Sequence, residues 1–296
     1  MNVLVTGGTG FVGQVLVSML CARGDRVVIV TRNPERARAA QAGVTFERWL
    51  PDVARFDAVV HLAGEPIVGK RWSDAQKRVL TSSRVDSTQL IVAAFERSSK
   101  RPRVFVSASA VGWYGDRGED ALTESAAPAD NFLGRLCVQW EQAADPAEQL
   151  GVRVVHPRIG IVLGLGGGVL SKAVPVFKFG VGGSLGPKQS WFPWVHVDDL
   201  ARFIVFAIDN ESVRGSFNVV APGIVRQGDF AQALGAALGR PALFPVPKFA
   251  LKLVLGEVAN ALTASQRCVP ERTLAAGFEF EHPDLQAALK HALQKA

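Results

Sequence analysis

The chain has 296 residues, enough for one large α/β unit or two lobes of roughly 150 residues each, and so for a sizeable buried core. Hydrophobic residues make up 48% and charged residues 20%, which excludes the polar, charge-rich composition of disordered proteins. Lysine plus arginine exceed aspartate plus glutamate by 33 to 27, but the basic residues are scattered, so nucleic-acid binding is not expected and a small anionic ligand suits the balance equally well.

Cys21, Cys137 and Cys268 lie more than a hundred residues apart, with no CxxC or histidine pairing. That spacing argues against a disulfide framework and a structural zinc site, so no metal is expected and a reducing, cytoplasmic location is the simplest reading. Met1 to Val5 lead straight into a glycine-rich turn, which leaves no room for a signal peptide. The apolar stretch from Ile159 to Leu170 is rich in glycine and falls short of the ~20 residues that span a bilayer, so no membrane association is expected.

In chain order, Val3 to Thr6 reads as a strand, and Phe11, Val12, Val15, Leu16 and Leu20 recur at helical spacing until Gly24. A second strand follows at Arg26 to Thr31, and Asn33-Pro34 suits a helix N-cap and first position. The alternation continues with strands at Val44 to Trp49 and Ala58 to Ala63, a helix at Asp74 to Ser98, a strand at Arg103 to Ser107, a helix at Phe132 to Leu150 and a strand at Val152 to His156. This pattern predicts an α/β fold: a Rossmann doubly wound parallel sheet with helices on both faces. After Ile159, glycines and prolines interrupt it, and helices are expected at Asp199 to Asp209, Gly228 to Leu238 and Pro283 to Lys295. We expect a Rossmann domain over residues 1–163 and a smaller substrate-binding lobe over 164–296, with segments free to interleave.

Thr6-Gly7-Gly8-Thr9-Gly10-Phe11-Val12-Gly13 satisfies GxGxxG between a predicted strand and a predicted helix. Gly7 and Gly10 allow a tight turn and close approach to a pyrophosphate, Gly13 lets the helix pack on the strand, and the N–H groups near Phe11 and Val12 face the anion. An NAD site normally has an acidic residue at the end of the second strand. Here Thr31-Arg32 stand there, with Arg36 and Arg38 behind, and the guanidinium of Arg32 suits a 2'-phosphate, so NADP(H) is expected over NAD(H). Arg36 and Arg38 read first as a solvated helix face.

That motif, together with Asp57 to Gly64 (DAVVHLAG) and Val106 to Gly115 (VSASAVGWYG), resembles the extended or atypical short-chain dehydrogenase/reductases, the epimerase-like members. Glu65-Pro66-Ile67, Arg71-Trp72, Ser83-Arg84, Cys137 with Trp140-Glu141, Arg158-x-Gly160, Trp194 to Asp199 and Gln266 to Pro270 bring the resemblance to the SDR39U1/YfcH-like epimerase family over nearly the whole chain. The resemblance implies NADP(H) contacts at Thr31, Arg32, Leu62, Ala63, Arg84 and Val162. His61, inside an apolar strand, reads as a core histidine.

Most short-chain dehydrogenases use a Tyr-x-x-x-Lys helix, in which the lysine lowers the phenol pKa for proton exchange. The single tyrosine, Tyr114, has Gly118 as its fourth neighbour, and no lysine occurs between Lys100 and Lys172. Aligned through Glu141, the pair's positions hold Leu133 and Cys137; one residue of slippage puts Phe132 and Leu136 there. Ser109 matches the family's catalytic serine or is a strand-end serine held by backbone. Tyr114 either reaches the cleft as a replacement phenol or packs on the second lobe, and Cys137 reads as buried packing. Asp198-Asp199 reads as an N-cap.

Two functions follow as expectations. One is an NADP(H)-dependent oxidoreductase or nucleotide-sugar-epimerase-like enzyme acting on an unidentified small molecule, with Ser109 and Tyr114 as its candidate catalytic residues. The other is a non-catalytic NADP(H)-binding or redox-sensing protein. The Gly164 to Gly186 segment and the Trp191 to Trp194 run are expected to shape the second-ligand pocket.

Overall fold

The computed structural model describes residues 1–36 and 42–294. Its first half runs β1 (Asn2–Thr6), α1 (Phe11–Ala22), β2 (Arg26–Val30), β3 (Val44–Glu47), β4 (Ala58–His61), α2 (Asp74–Ser82), α3 (Val85–Arg97), β5 (Val104–Ser107), β6 (Ser109–Ala110), β7 (Ala121–Leu122), α4 (Phe132–Ala144), α5 (Pro146–Gln149) and β8 (Arg153–Ile159). There follow β9 (Ile161–Leu163), α6 (Leu170–Lys178), β10 (Trp191–Phe192), β11 (Trp194–His196), α7 (Val197–Asp209), β12 (Gly215–Val219), β13 (Val225–Arg226) and α8 (Gln227–Ala237). The chain closes with α9 (Lys248–Leu255), α10 (Val258–Leu262), β14 (Arg267–Cys268), α11 (Glu271–Ala275) and α12 (Leu285–Gln294).

The main sheet is parallel in the order β3-β2-β1-β4-β5-β8-β12, the doubly wound arrangement expected from the alternation. Its central strands β1, β2, β4 and β5 are mostly apolar because both faces are covered, whereas β8 and β12 carry buried polar side chains such as Arg158 and Asn218. Successive side chains alternate between the faces: Val3, Val5, Val27, Ile29, Val60 and Val106 meet Leu16 and Leu20 of α1 and Leu200, Phe203 and Ile204 of α7. Leu4, Val28, Val59, Phe105 and Val154 meet Ile91, Val92 and Phe95 of α3 on the other. Each such side chain contributes about 1.5 to 3 kcal/mol through burial.

The segment after 164 does not stay apart from this body. α7 lies over the α1 face and β12 extends the sheet beyond β8, in register Phe217 to Pro157. α6, α8 and α12 form a second core in which Leu170, Val174 and Phe177 of α6, Phe230 and Leu234 of α8, and Leu285 and Leu289 of α12 pack around Trp194. No helix among the described residues is long and apolar enough to cross a membrane.

Three predicted elements differ in detail. The helix expected over Asp74 to Ser98 breaks at Ser83-Arg84, where Ser83 Oγ donates to Leu80 O at 3.1 Å and accepts from Glu65 N at 3.0 Å. The helix expected over Phe132 to Leu150 breaks before Pro146, whose missing N–H and fixed φ suit the first position of a new turn. The cap of α7 is His196 instead of Asp198: His196 Nδ1 accepts from Asp198 N at 3.2 Å. Arg38, the side chain of Arg36, and Lys295 lie outside the described residues.

Candidate functional site

The order of the sheet reverses between β1 and β4, and ligands of such folds bind beyond the carboxyl ends of the strands at that point. The glycine turn leaves β1 there. Gly7 has φ +74°, and a Cβ on it would stand 2.7 Å from the Leu62 carbonyl carbon and 2.8 Å from Ala63 N, so the turn presses directly on the segment leaving β4. A Cβ on Gly13 would lie 2.2 Å from Gly7 O, which brings the first turn of α1 against the end of β1. Gly10 differs, since its Cβ would meet only Gly7 O at 3.2 Å and its φ is −81°. Gly10 caps α1 without a side-chain hydrogen bond, so the first-turn amides at Phe11, Val12 and Gly13 present an anion-binding end.

Phe11 is held from the second lobe. Cβ atoms on Gly164 and Gly167 would stand 2.9 and 2.4 Å from its ring, and one on Gly168 would meet Val162 O at 2.6 Å. Part of the glycine-rich segment expected to shape a second-ligand pocket therefore packs on the glycine turn, and Val162 comes to the same place. Further along that segment, Leu185 bridges to Val246. Trp194 is buried, with Nε1 donating to Gly223 O, while Trp191 donates to Glu119 and stacks under Arg226 at 4.0 Å.

Thr31 and the exposed Arg32 follow β2, next to β1 at the same edge of the sheet. Glu65, held below the usual carboxylate range chiefly by its Lys70 hydrogen bond at 2.9 Å, also feels the charge of Arg32. Arg84, the N-cap residue of α3, turns inward. Its guanidinium donates to Leu80 O at 3.1 Å and Glu65 O at 2.9 Å and lies 5.2 Å from the Trp140 ring, and burial lowers its pKa. A Cβ on Gly64 would touch it at 3.1 Å. Arg84 thus braces the Gly64-Glu65 loop from behind. His61 is a core histidine: Nδ1 meets Thr6 Oγ1 at 2.5 Å and Nε2 meets Ser87 Oγ at 3.0 Å, and burial lowers its pKa to about 4.

The two candidate catalytic residues belong to a different assembly. Ser109, 1% exposed, donates to Glu141 Oε1 at 2.6 Å. Glu141 also receives Arg158 through Nε and Nη2, each at 2.9 Å, and Ser216 Oγ at 3.0 Å. Arg158 Nη1 reaches Tyr114 Oη at 3.1 Å, and Tyr114 donates to Asn218 Oδ1 at 2.6 Å. Tyr114 is fully buried, and burial raises its phenol pKa, the opposite of what an acid–base tyrosine needs. Tyr114 packs against Leu122, Val220 and Cys268, which is the packed one of its two readings. Arg158 also lies 3.7 Å from the Trp113 ring centroid. Leu133 packs beside Gly112, and Cys137 is buried near Ala110 O with its thiol pushed up to about 12. Sequence reasoning left this network out, although an arginine inside the apolar β8 signals a buried carboxylate partner.

A surface hollow of about 410 Å³, lined by Met19, Arg202, Phe206 and Phe278, lies beside the last turn of α1, at the opposite end of that helix from the glycine turn.

Comparison with known proteins agrees with this geometry. Residues 3–220 match the NAD dependent epimerase/dehydratase family, and residues 246–292 match a domain of unknown function, DUF1731. The chain is 40% identical over 300 residues to the epimerase family protein SDR39U1 of Mus musculus, covering 98% of this chain and 99% of that one. It is 34% identical over 301 residues to the epimerase family protein YfhF of Bacillus subtilis, covering 99% and 98%. The solved structure of human epimerase family protein SDR39U1 (isoform 2) with NADPH superposes with a TM-score of 0.90 at 35% identity, covering 100% of both chains. The chain therefore belongs to the NAD dependent epimerase/dehydratase family, in its SDR39U1/YfhF-like group with a DUF1731 C-terminal region.

Proposed function

We propose that this protein binds NADP(H) at the turn between β1 and α1 and selects it over NAD(H) through Arg32. The observation that carries the reading is the uncapped, glycine-lined start of α1 set beside the Leu62-Ala63 backbone, with an exposed arginine at the end of the neighbouring strand. The residues fit the group: the α1 amides take a pyrophosphate, and Thr31 and Arg32 take the ribose 2'-phosphate. The human relative solved with NADPH supports this assignment. When bound, the cofactor supplies a hydride, and the protein supplies orientation and exclusion of water.

The reaction class that this supports is NADP(H)-dependent oxidoreduction or epimerase-like chemistry on a small molecule, with a proton route that bypasses Tyr114. One observation favours the second reading, a non-catalytic NADP(H)-binding protein: Ser109 and Tyr114 are both engaged by partners inside the core. Titration with NADPH, followed by assay of nicotinamide absorbance across aldehydes, ketones, quinones and nucleotide sugars, separates the two. Binding with turnover supports the enzyme, binding without turnover supports the second reading, and absence of NADPH binding overturns both.

A further inference from the structure

We propose that His196, Asp198, His282 and His291 form a site for one divalent transition cation of the zinc class, at the seam between α7 and α12. One donor atom from each residue lies within 4.8 Å of every other. Asp198 Oδ2 stands 3.7 Å from His196 Nδ1, 4.0 Å from His282 Nε2 and 3.4 Å from His291 Nε2. Four ligands held at about 2.0 to 2.2 Å in a tetrahedron are separated by about 3.3 to 3.6 Å, so the Asp198 pairs are already near that spacing and side-chain rotation of the imidazoles closes the set around an ion. The imidazoles crowd together, with ring centroids 4.0 Å apart for His196 and His282 and 4.6 Å for His282 and His291. Three imidazoles in one place repel if protonated, whereas their neutral lone pairs and one carboxylate suit zinc better than magnesium or calcium, which take oxygen ligands.

The protein holds these groups from behind. Asp199, fully buried, accepts from Glu281 N at 2.8 Å and His282 N at 2.9 Å and takes Arg202 Nη1 at 3.2 Å, which fixes the backbone that carries His282. His196 and Asp198 are placed by the end of β11 and the first turn of α7, and His291 by α12. The long bond from Asp198 N to His196 Nδ1, 3.2 Å, is exchanged for the metal when that nitrogen coordinates. A bound cation staples α12 to α7, one residue before Val197, whose side chain would lie 2.6 Å from a Cβ on Gly164.

The test uses full-length protein, free of affinity tag and treated with chelator, titrated with Zn²⁺ and separately with Mg²⁺ by calorimetry and thermal unfolding. One Zn²⁺ per chain is expected, with a rise in Tm and no response to Mg²⁺. His291→Ala and Asp198→Asn should each weaken Zn²⁺ binding by roughly tenfold or more with unchanged circular dichroism. If Asp198→Asn fails to fold, His291→Ala decides alone, because that side chain is 38% exposed. Wild-type protein that takes up no zinc, or a folded His291→Ala variant that binds it like wild type, overturns the proposal.

Discussion

Gly10 differs from its companions in what forces it to be glycine. Gly7 and Gly13 are fixed by the fold itself, since a Cβ at either collides with backbone, whereas at Gly10 the tightest contact is 3.2 Å to Gly7 O and the backbone is ordinary. The space beside Gly10 is then explained by close approach of a pyrophosphate. Gly10→Val should abolish NADPH binding while changing Tm by only a few degrees; near-wild-type affinity in calorimetry would make the turn structural only. Tyr114 makes the complementary case. Tyr114→Phe removes hydrogen bonds to Asn218 and Arg158 inside the core and should destabilise the fold by about 1 to 3 kcal/mol in denaturant, with NADPH affinity unchanged. Loss of turnover without loss of stability would instead restore Tyr114 as an acid.

At the scale of elements, the pair Glu141 and Arg158 joins α4 to β8, with Ser109 of β6 and Ser216 of β12 on the same carboxylate. Burial disfavours the charge of Arg158, and the hydrogen bonds and charge of Glu141 more than offset it. Glu141→Gln leaves that guanidinium buried without its counter-ion and should cost about 3 to 5 kcal/mol, measured by urea unfolding; a cost below 1 kcal/mol would mean that the strands and helix are held by packing alone. Strands β1 to β5 and β8 of the main sheet were legible because they are short β-branched runs between helical repeats; β12 (Gly215–Val219), with a glycine, a serine and an asparagine among its five residues, carried no such signal and was missed. The breaks at Ser83-Arg84 and before Pro146 were less so, because the first depends on a contact from Glu65 across the loop and only the second has a proline to mark it. The catalytic candidates illustrate the same limit. Ser109 and Tyr114 carry suitable chemistry in sequence, but their partners Glu141, Arg158 and Asn218 come from three other elements, and no local spacing announces that they meet.

For the whole molecule, the second half of the chain completes the first: α7 and β12 enlarge the Rossmann core, and Gly164, Gly167 and Gly168 close on Phe11. The histidines and aspartate of the proposed cation site were invisible to cysteine spacing because they come from the end of β11, the start of α7, the connection before α12 and α12 itself, which only the tertiary fold brings together. Acid should find a weak point elsewhere, at His61, which bonds Thr6 at the start of the glycine turn. Burial lowers its pKa from the ordinary 6.5 to about 4, so the unfolded chain binds the extra proton first. Its contribution is full above pH 6.5 and is lost as pH falls toward 4, by roughly 3 kcal/mol at about 1.4 kcal/mol per unit. Urea unfolding should therefore show a steeper acid loss in wild type than in His61→Gln, and equal losses would place the sensitivity in other groups.

The central claim, that Arg32 reads a 2'-phosphate at this site, is tested most directly by a thermodynamic cycle. Calorimetry would give the affinities of NADPH and NADH for wild-type protein and for Arg32→Ala. A charge-assisted phosphate contact contributes about 1.5 to 3 kcal/mol, so wild type should prefer NADPH by tenfold or more and the variant should bind both cofactors about equally, with NADH affinity little changed. A preference that survives intact in Arg32→Ala, or equal affinities in the wild-type protein, would contradict it.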